Sequence, residues 1–156
     1  MKKTCISKGW SLNAPGTNGW ISVDLPNDYS ITQPRTPDAP GGASNGFFVG
    51  GEGTYVKELD IPAEPKHYIL DIDGAYMYTR VSLGEFLAKH PHGYTPFLVD
   101  LTPRVKFGET NKLTIRTDDC QPSTRWYTGA GIYRDVYLYE GGDIRIEPWD
   151  LWVETP

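Results

Sequence analysis

The chain has 156 residues and a formal net charge of −5, with 17 glycines, 13 prolines, 5 tryptophans, 10 tyrosines and 5 phenylalanines. That length can bury one substantial core. The acidic balance and the lack of a lysine- or arginine-rich run argue against nucleic acid or an anionic membrane as a partner, and no apolar run approaches the ~20 residues that span a bilayer.

The N-terminal segment opens with MKK but has no apolar stretch behind it. We therefore predict a soluble protein without a complete signal peptide, and the compartment is left open. The two cysteines, Cys5 and Cys120, are too few for a disulfide framework, and no Cys-x-x-Cys or His/Cys cluster occurs. We expect free structural thiols and no zinc site.

Alternation of apolar and polar residues with a period of two predicts several strands. In chain order these are TYVKELDIP, HYILDIDG, NKLTIRTDD, DVYLYE and DIRIEP. The side chains expected to point inward include Leu70, Ile72, Leu113, Ile115, Val136 and Leu138, with Ile144 and Ile146 repeating the scheme. In the second segment, Asp71 and Asp73 fall on the opposite side, which we expect to face solvent.

Helical periodicity is not sustained anywhere. The nearest candidate, GEFLAKHPHG, is short and would be stopped by Pro91. Short strands separated by turn sequences such as VGGEG and FGETN predict an all-β antiparallel sandwich, jelly-roll or immunoglobulin-like. Residues 30–50 are predicted to form a long irregular loop, and loops of that length are usually functional or disordered.

No catalytic constellation is marked by the residues. The three histidines, His67, His90 and His92, accompany no nucleophile elbow. The DIDG sequence opens like a calcium loop, but the rest of that loop is missing. The 20 acidic residues allow many carboxyl pairs, yet no motif marks a pair for glycoside hydrolysis. The residues themselves assign neither a catalytic group nor a metal site, and leave open whether the chain is an enzyme.

The stretch STRWYTGAGIYRDVYLYE carries the strongest sign of binding. Arg125, Trp126 and Tyr127 precede Gly129 and Gly131, which permit a tight path into the next strand. Exposed aromatic rings on loops of a β-sandwich can stack on a sugar while arginine binds its hydroxyl groups. The alternative is that these rings are structural, as most aromatic residues are.

Five segments, in order, resemble the N-terminal sugar-binding domain of glycoside hydrolase family 2, the β-galactosidase, β-glucuronidase and β-mannosidase group. They are WISVDLP with NDY, FFVGGEGTYVKELDIP, ILDIDGAYMYTRVSL, HPHGYTPFLVDLTPRVKFGETNKLTIRTDD and RWYTGAGIYRDVYL. The family pattern has His, Trp and Trp where this chain has Asn27, Tyr29 and Thr54. It also has an Asn-Gly turn where Leu83 runs directly into Gly84, so we expect an altered turn or a shifted strand register there.

The resemblance implies one jelly-roll domain of galactose-binding-like type over residues 1–156, with residues 148–156 leading toward a second domain. Family members are retaining glycosidases with a jelly-roll first domain, an immunoglobulin-like second domain and a (β/α)₈ barrel that carries both catalytic glutamates. It therefore implies a non-catalytic accessory domain without a cofactor or metal. The implied partners are a β-galactoside-like carbohydrate, bound weakly in isolation, and the barrel and immunoglobulin-like domains of a parent enzyme.

Within the resemblance, Arg125, Trp126 and Tyr127 match a region that lies against the barrel and can edge its active site, and Asn45 is a weaker candidate. Three further residues are expected to be structural: Asp28 as a turn former, Asp73 as a strand-edge acid and Arg134 in an internal ion pair. Two alternatives stay open, an autonomous lectin-like module and a purely structural module between domains.

Overall fold

The computed structural model describes residues 1–155 and is built from β-strands, with two short 3₁₀ turns at Gly42–Asn45 and Thr102–Arg104. The strands are β1 (Lys2–Cys5), β2 (Trp10–Asn13), β3 (Ile21–Val23), β4 (Gly51–Asp60), β5 (His67–Ile72), β6 (Thr79–Leu83), β7 (Glu85–His90), β8 (Phe97–Asp100), β9 (Thr110–Asp119) and β10 (Val136–Gly141).

All strand pairs are antiparallel and form two sheets. One sheet has the order β1-β10-β5-β8, and the other has the order β3-β2-β4-β9-β6-β7. The longest pairing joins β4 to β9, from Gly51 opposite Asp119 to Asp60 opposite Thr110. The predicted all-β sandwich of jelly-roll type is confirmed.

The core lies between the two sheets and is filled by the inward side of each alternating strand. The buried residues include Leu70, Ile72, Leu113, Ile115 and Val136, and Leu138 is partly buried against the same cluster. Burying a side chain of this size contributes about 1.5–3 kcal/mol. The predicted core positions are therefore confirmed. They could be predicted because a period of two places alternate residues on one face of a strand.

One strand prediction was wrong. The segment DIRIEP forms no strand, and Ile144 and Ile146 are exposed to 101% and 64%. The segment pairs with no strand of either sheet, so its alternation alone did not make it a strand. The segment GEFLAKHPHG, for which no sustained helix was predicted, contains β7, which pairs with β6.

Two charged residues lie differently from expectation. Asp71 is 1% exposed, because Lys3 on β1 covers the outer side of the four-stranded sheet, with its Nζ 3.7 Å from Asp71 Oδ2 and 3.7 Å from the Tyr137 ring centre. Burial raises the pKa of the Asp71 carboxyl. Arg134 is exposed and lies 5.5 Å from the Tyr133 ring, so the predicted internal ion pair was wrong.

The hairpin between β6 and β7 has the altered register that the short turn predicted. Leu83 pairs with Glu85, leaving Gly84 alone at the turn with a φ of 68°. Ser82 then lies opposite Phe86, whereas Val81 lies opposite Ala88. The pairing therefore contains a β-bulge at Leu87, which compensates for the shortened turn.

The irregular segment between β3 and β4 is packed rather than loose. Tyr29, Ser30 and Asn45 are almost fully buried in it. The Tyr29 hydroxyl donates to the Gly51 carbonyl at 2.5 Å, and the Ser30 hydroxyl donates to the Val49 carbonyl at 2.9 Å. The first bond joins the segment to the start of β4, and the second joins its two ends. Across the described residues, 1–155, no helix has the length and apolar character needed to cross a membrane.

Candidate functional site

The connection from β9 to β10 contains residues 123–130, which we call the aromatic loop. It has no regular secondary structure, and three polar side chains from other parts of the fold hold it in place. The first is Asn45, which is 2% exposed. Its Nδ2 donates to Ser123 Oγ at 2.9 Å and to the Arg125 carbonyl at 2.5 Å, and its Oδ1 accepts from the Ser123 N–H at 3.0 Å. The structure thus brings Asn45 to the loop backbone and leaves its amide facing protein.

Asp28 is the second anchor. Its Oδ1 accepts from the N–H groups of Ser30 at 2.9 Å and Ile31 at 3.3 Å, so it forms a turn as the sequence predicted. The same carboxylate also accepts from the Ala130 N–H at 3.2 Å and from the Tyr127 hydroxyl. Burial and the Asp28 carboxylate both raise the pKa of Tyr127, so its hydroxyl keeps the proton that it donates. This second role of Asp28 was missed in the sequence.

Asp119 is the third anchor and is 2% exposed. It accepts from Thr128 Oγ1 at 3.1 Å and from Gln121 Nε2 at 3.1 Å. Burial raises the pKa of this carboxyl. Sequence reasoning missed Asp119, although its position continues the inward alternation of Leu113 and Ile115 along β9.

The anchored backbone presents two of the predicted residues to solvent. Trp126 is 62% exposed, and its indole ring lies against Gly46, where an added Cβ would be 3.1 Å from Cε2. Arg125 is exposed, and within residues 1–155 its guanidinium has no hydrogen bond or ion pair. Tyr127 is half-buried, with its ring centre 4.6 Å from that of Phe48. Chemically, the loop offers a flat ring and a free cationic donor.

A shallow cleft of about 280 Å³ lies beside Tyr127 and includes Asp28, Thr128 and Gly129. Its other two walls are Tyr94 and Tyr133, neither of which the sequence singled out. Tyr94 is 56% exposed, and the Tyr133 hydroxyl donates to the Gly93 carbonyl at 2.7 Å. The volume is near the ~300 Å³ lower end of small-molecule sites.

Metal-ligating residues do not cluster in the described part of the chain: no three His, Cys, Asp or Glu side chains there are placed to hold an ion. Cys5 and Cys120 are exposed free thiols, separate from each other.

Comparisons with known proteins connect this fold to larger enzymes. The chain is 38% identical over 156 residues to a β-galactosidase of Bacteroides ovatus, a match that covers 96% of this chain. It superimposes on a glycosyl hydrolase family 2 member of Bacteroides cellulosilyticus with a TM-score of 0.81 and 30% identity, over 91% of this chain. It superimposes on a β-glycosidase of Bacteroides vulgatus with a TM-score of 0.80 and 30% identity, over 90% of this chain.

These matches occupy only a small part of each relative: 18% of the B. ovatus protein, 21% of the B. cellulosilyticus chain and 20% of the B. vulgatus chain. No protein-family profile matches the chain.

Proposed function

The chain belongs to glycoside hydrolase family 2 as a counterpart of the family's N-terminal sugar-binding domain, and from this premise we propose that it is a non-catalytic accessory domain of a retaining β-glycosidase. In this proposal the aromatic loop edges a sugar site whose catalytic glutamates belong to a barrel elsewhere in the parent polypeptide. The observation that carries it is Trp126, which is 62% exposed on a loop that the side chains of Asn45, Asp28 and Asp119 hold in place.

An anchored but exposed indole is suited to binding. A stacking ring already fixed in position loses little conformational freedom when a sugar arrives. In the proposal, Trp126 stacks on the apolar face of a pyranose and Arg125 donates to its hydroxyl groups. Tyr127 and Asn45 act from within the protein, since the Tyr127 hydroxyl is committed to Asp28 and the Asn45 amide to the loop.

The isolated domain is expected to bind sugars weakly. Stacking one ring contributes about 1 kcal/mol, and a hydrogen bond to a charged group contributes roughly 1.5–3 kcal/mol. Association itself costs at least ~4 kcal/mol. We therefore assign a β-galactoside-like ligand only to the site completed by the barrel, and millimolar binding or weaker to this domain alone.

A structural role in docking other domains is the second candidate, and a specific feature favours it. Six large apolar side chains near the end of the chain are at least 60% exposed: Ile144, Ile146, Trp149, Leu151, Trp152 and Val153. Exposed apolar surface of that extent is typical of interfaces. In this alternative, Trp126 also packs on protein. A lectin-like module, by contrast, requires sugar affinity from this chain alone.

Replacing Trp126 with alanine in the parent polypeptide tests the proposal. Losing one stacking ring is expected to lower kcat/KM roughly fivefold. The matched control is Trp20→Ala, which removes an indole that is 55% exposed immediately before β3; its kcat/KM is expected to stay at the parental value.

A thermal melt of the same Trp126→Ala change in this chain separates binding from folding. The proposal expects a nearly unchanged melting temperature, because most of the ring is in solvent. If the melting temperature of the Trp126→Ala chain falls sharply, or if the two tryptophan variants have the same kinetics, Trp126 is structural and the docking role replaces the proposal.

A further inference from the structure

Three basic side chains form a row across the outer face of the six-stranded sheet. Lys89 on β7 lies opposite Arg80 on β6, and Arg80 lies opposite Arg116 on β9. All three are exposed, alternating with buried neighbours such as Val81 and Ile115. Like charges directly opposite each other destabilise a sheet, and this row stands in a chain of net charge −5. Repulsion within the row therefore destabilises the folded protein unless a negative charge beside the row offsets it.

The protein itself neutralises the row only in part. Glu52 lies between the two arginines, with Oε2 3.7 Å from Arg80 Nη1 and Oε1 3.8 Å from Arg116 Nη1. Both distances are longer than a hydrogen bond, and the arginine side chains are 54% and 52% exposed. Within the described residues, neither guanidinium donates a hydrogen bond, so their donors are available to a ligand.

A cleft of about 460 Å³ opens at one end of this row. Arg80 and Lys89 line it together with Tyr78, Asp118 and His90. Its volume falls within the roughly 300–1,000 Å³ of small-molecule sites. It shares no lining residue with the cleft beside Tyr127, so it is a separate candidate site.

Tyr78 gives the cleft an aromatic surface. Its ring is 46% exposed and its φ is 45°, in a region that bulky residues rarely adopt. Its N–H donates to the Pro91 carbonyl at 3.4 Å, which holds the backbone beside the cleft wall. Strained aromatic residues of this kind occur preferentially at functional sites.

The remaining walls limit the charge of a ligand. The His90 ring stacks on Phe97 at 4.2 Å, and its Nε2 lies 2.8 Å from Thr95 Oγ1. Burial lowers the pKa of His90, so this ring is neutral at pH 7 and adds no charge. Asp118 in the cleft and Glu52 beside it place two carboxylates against the three cations Arg80, Lys89 and Arg116, which leaves one positive charge. A single negative charge therefore fits better than a dianion such as phosphate, and Asp118 can accept from a hydroxyl group.

We propose that this cleft binds a pyranose carrying a carboxylate, with Arg80 and Lys89 on the carboxylate and Tyr78 on the apolar face of the ring. The planar guanidinium of arginine matches the two oxygens of a carboxylate. A pyranose also has hydroxyl groups that can donate to Asp118 and an apolar face that can pack on Tyr78. The inference is independent of the proposed role of the aromatic loop.

A titration of the ¹⁵N-labelled chain with sodium D-glucuronate tests the inference. At ~50 mM salt, where screening is weak, saturable shifts are expected in the backbone amides of residues 78–80, 89–90 and 118–120. Arg80→Gln and Lys89→Gln are each expected to weaken binding roughly tenfold. The matched control is Arg104→Gln, which removes the same charge from a residue outside the cleft; it should leave binding within about twofold.

Neutral and inorganic probes distinguish the possible ligands. D-Glucose should give no saturable shift at the same concentration, and inorganic phosphate should give weaker shifts than glucuronate. The inference is overturned if glucose binds equally well, if phosphate matches glucuronate, or if glucuronate leaves these amides unchanged. Equal binding by the Arg80→Gln, Lys89→Gln and Arg104→Gln proteins also contradicts it.

Discussion

Replacing Gly131 with alanine is expected to lower the free energy of unfolding by about 3–5 kcal/mol, a loss found only for severe steric or polar defects. Gly131 has a φ of 93°, which glycine adopts freely and alanine does not. A Cβ there would overlap the Tyr55 hydroxyl and lie 2.9 Å from the Asn27 carbonyl oxygen.

The neighbours of Gly131 cannot move aside cheaply. Tyr55 is fully buried, and its hydroxyl donates to Asn27 Oδ1 at 2.7 Å. The Gly131 backbone is itself bonded in both directions to Tyr76, at 3.1 and 2.9 Å. The alanine must therefore break at least one buried hydrogen bond or force the loop away from the sheet.

Urea unfolding of the two alanine variants Gly131→Ala and Gly142→Ala measures this effect. A Cβ at Gly142 meets nothing within 4 Å, so its change is expected to stay within about 0.5 kcal/mol. Equal stabilities of the two variants would mean that the path into β10 does not depend on a glycine at 131.

Replacing Asn45 with alanine is expected to lower the free energy of unfolding by about 2–3 kcal/mol. The change leaves the Ser123 N–H and the Arg125 carbonyl without the partner that they have in the folded protein. A buried group left unpaired costs about 1–3 kcal/mol. Asn45→Asp keeps the acceptor and loses the donor, so an intermediate loss is expected.

Amide hydrogen exchange shows where the loss occurs. Exchange is expected to accelerate in residues 123–130 of the Asn45→Ala protein more than in β4 or β9. The control is Asn18→Ala, in an exposed turn, which should change neither stability nor exchange. If the aromatic loop of the Asn45→Ala protein exchanges its amide hydrogens at the wild-type rate, the role of Asn45 as an anchor is contradicted.

The strands of the core could be predicted because their cause is local. In β9, Leu113 and Ile115 alternate with polar residues, and alternation alone assigns them to the inner face. The same rule, carried two steps further, assigns Asp119 to that face. Alternation was insufficient for Ile144 and Ile146, because a strand also needs a hydrogen-bonded partner, and their segment pairs with no strand of either sheet.

The contacts of the candidate site depend on pairs that are distant in the sequence. Asn45 and Ser123 are 78 positions apart, and Asp28 and Tyr127 are 99 positions apart. No period within either segment specifies such a pair. The family resemblance drew attention to Arg125, Trp126 and Tyr127, but the loop's anchoring by Asp28, Asn45 and Asp119 required the three-dimensional structure. Asp71 was misplaced for the same reason, since it is covered by Lys3 from a distant strand.

The most direct test of the proposed role is a crystal structure of the parent polypeptide with a saccharide bound. The account predicts that the Trp126 ring lies within ~4 Å of a sugar ring, the range of direct contact, and that Arg125 donates to a hydroxyl group. It also predicts that the 123–130 backbone keeps its bonds to Asn45 and Asp28. A bound sugar more than ~8 Å from both side chains, with Trp126 buried against another domain, would contradict the account and leave docking as the function of this loop.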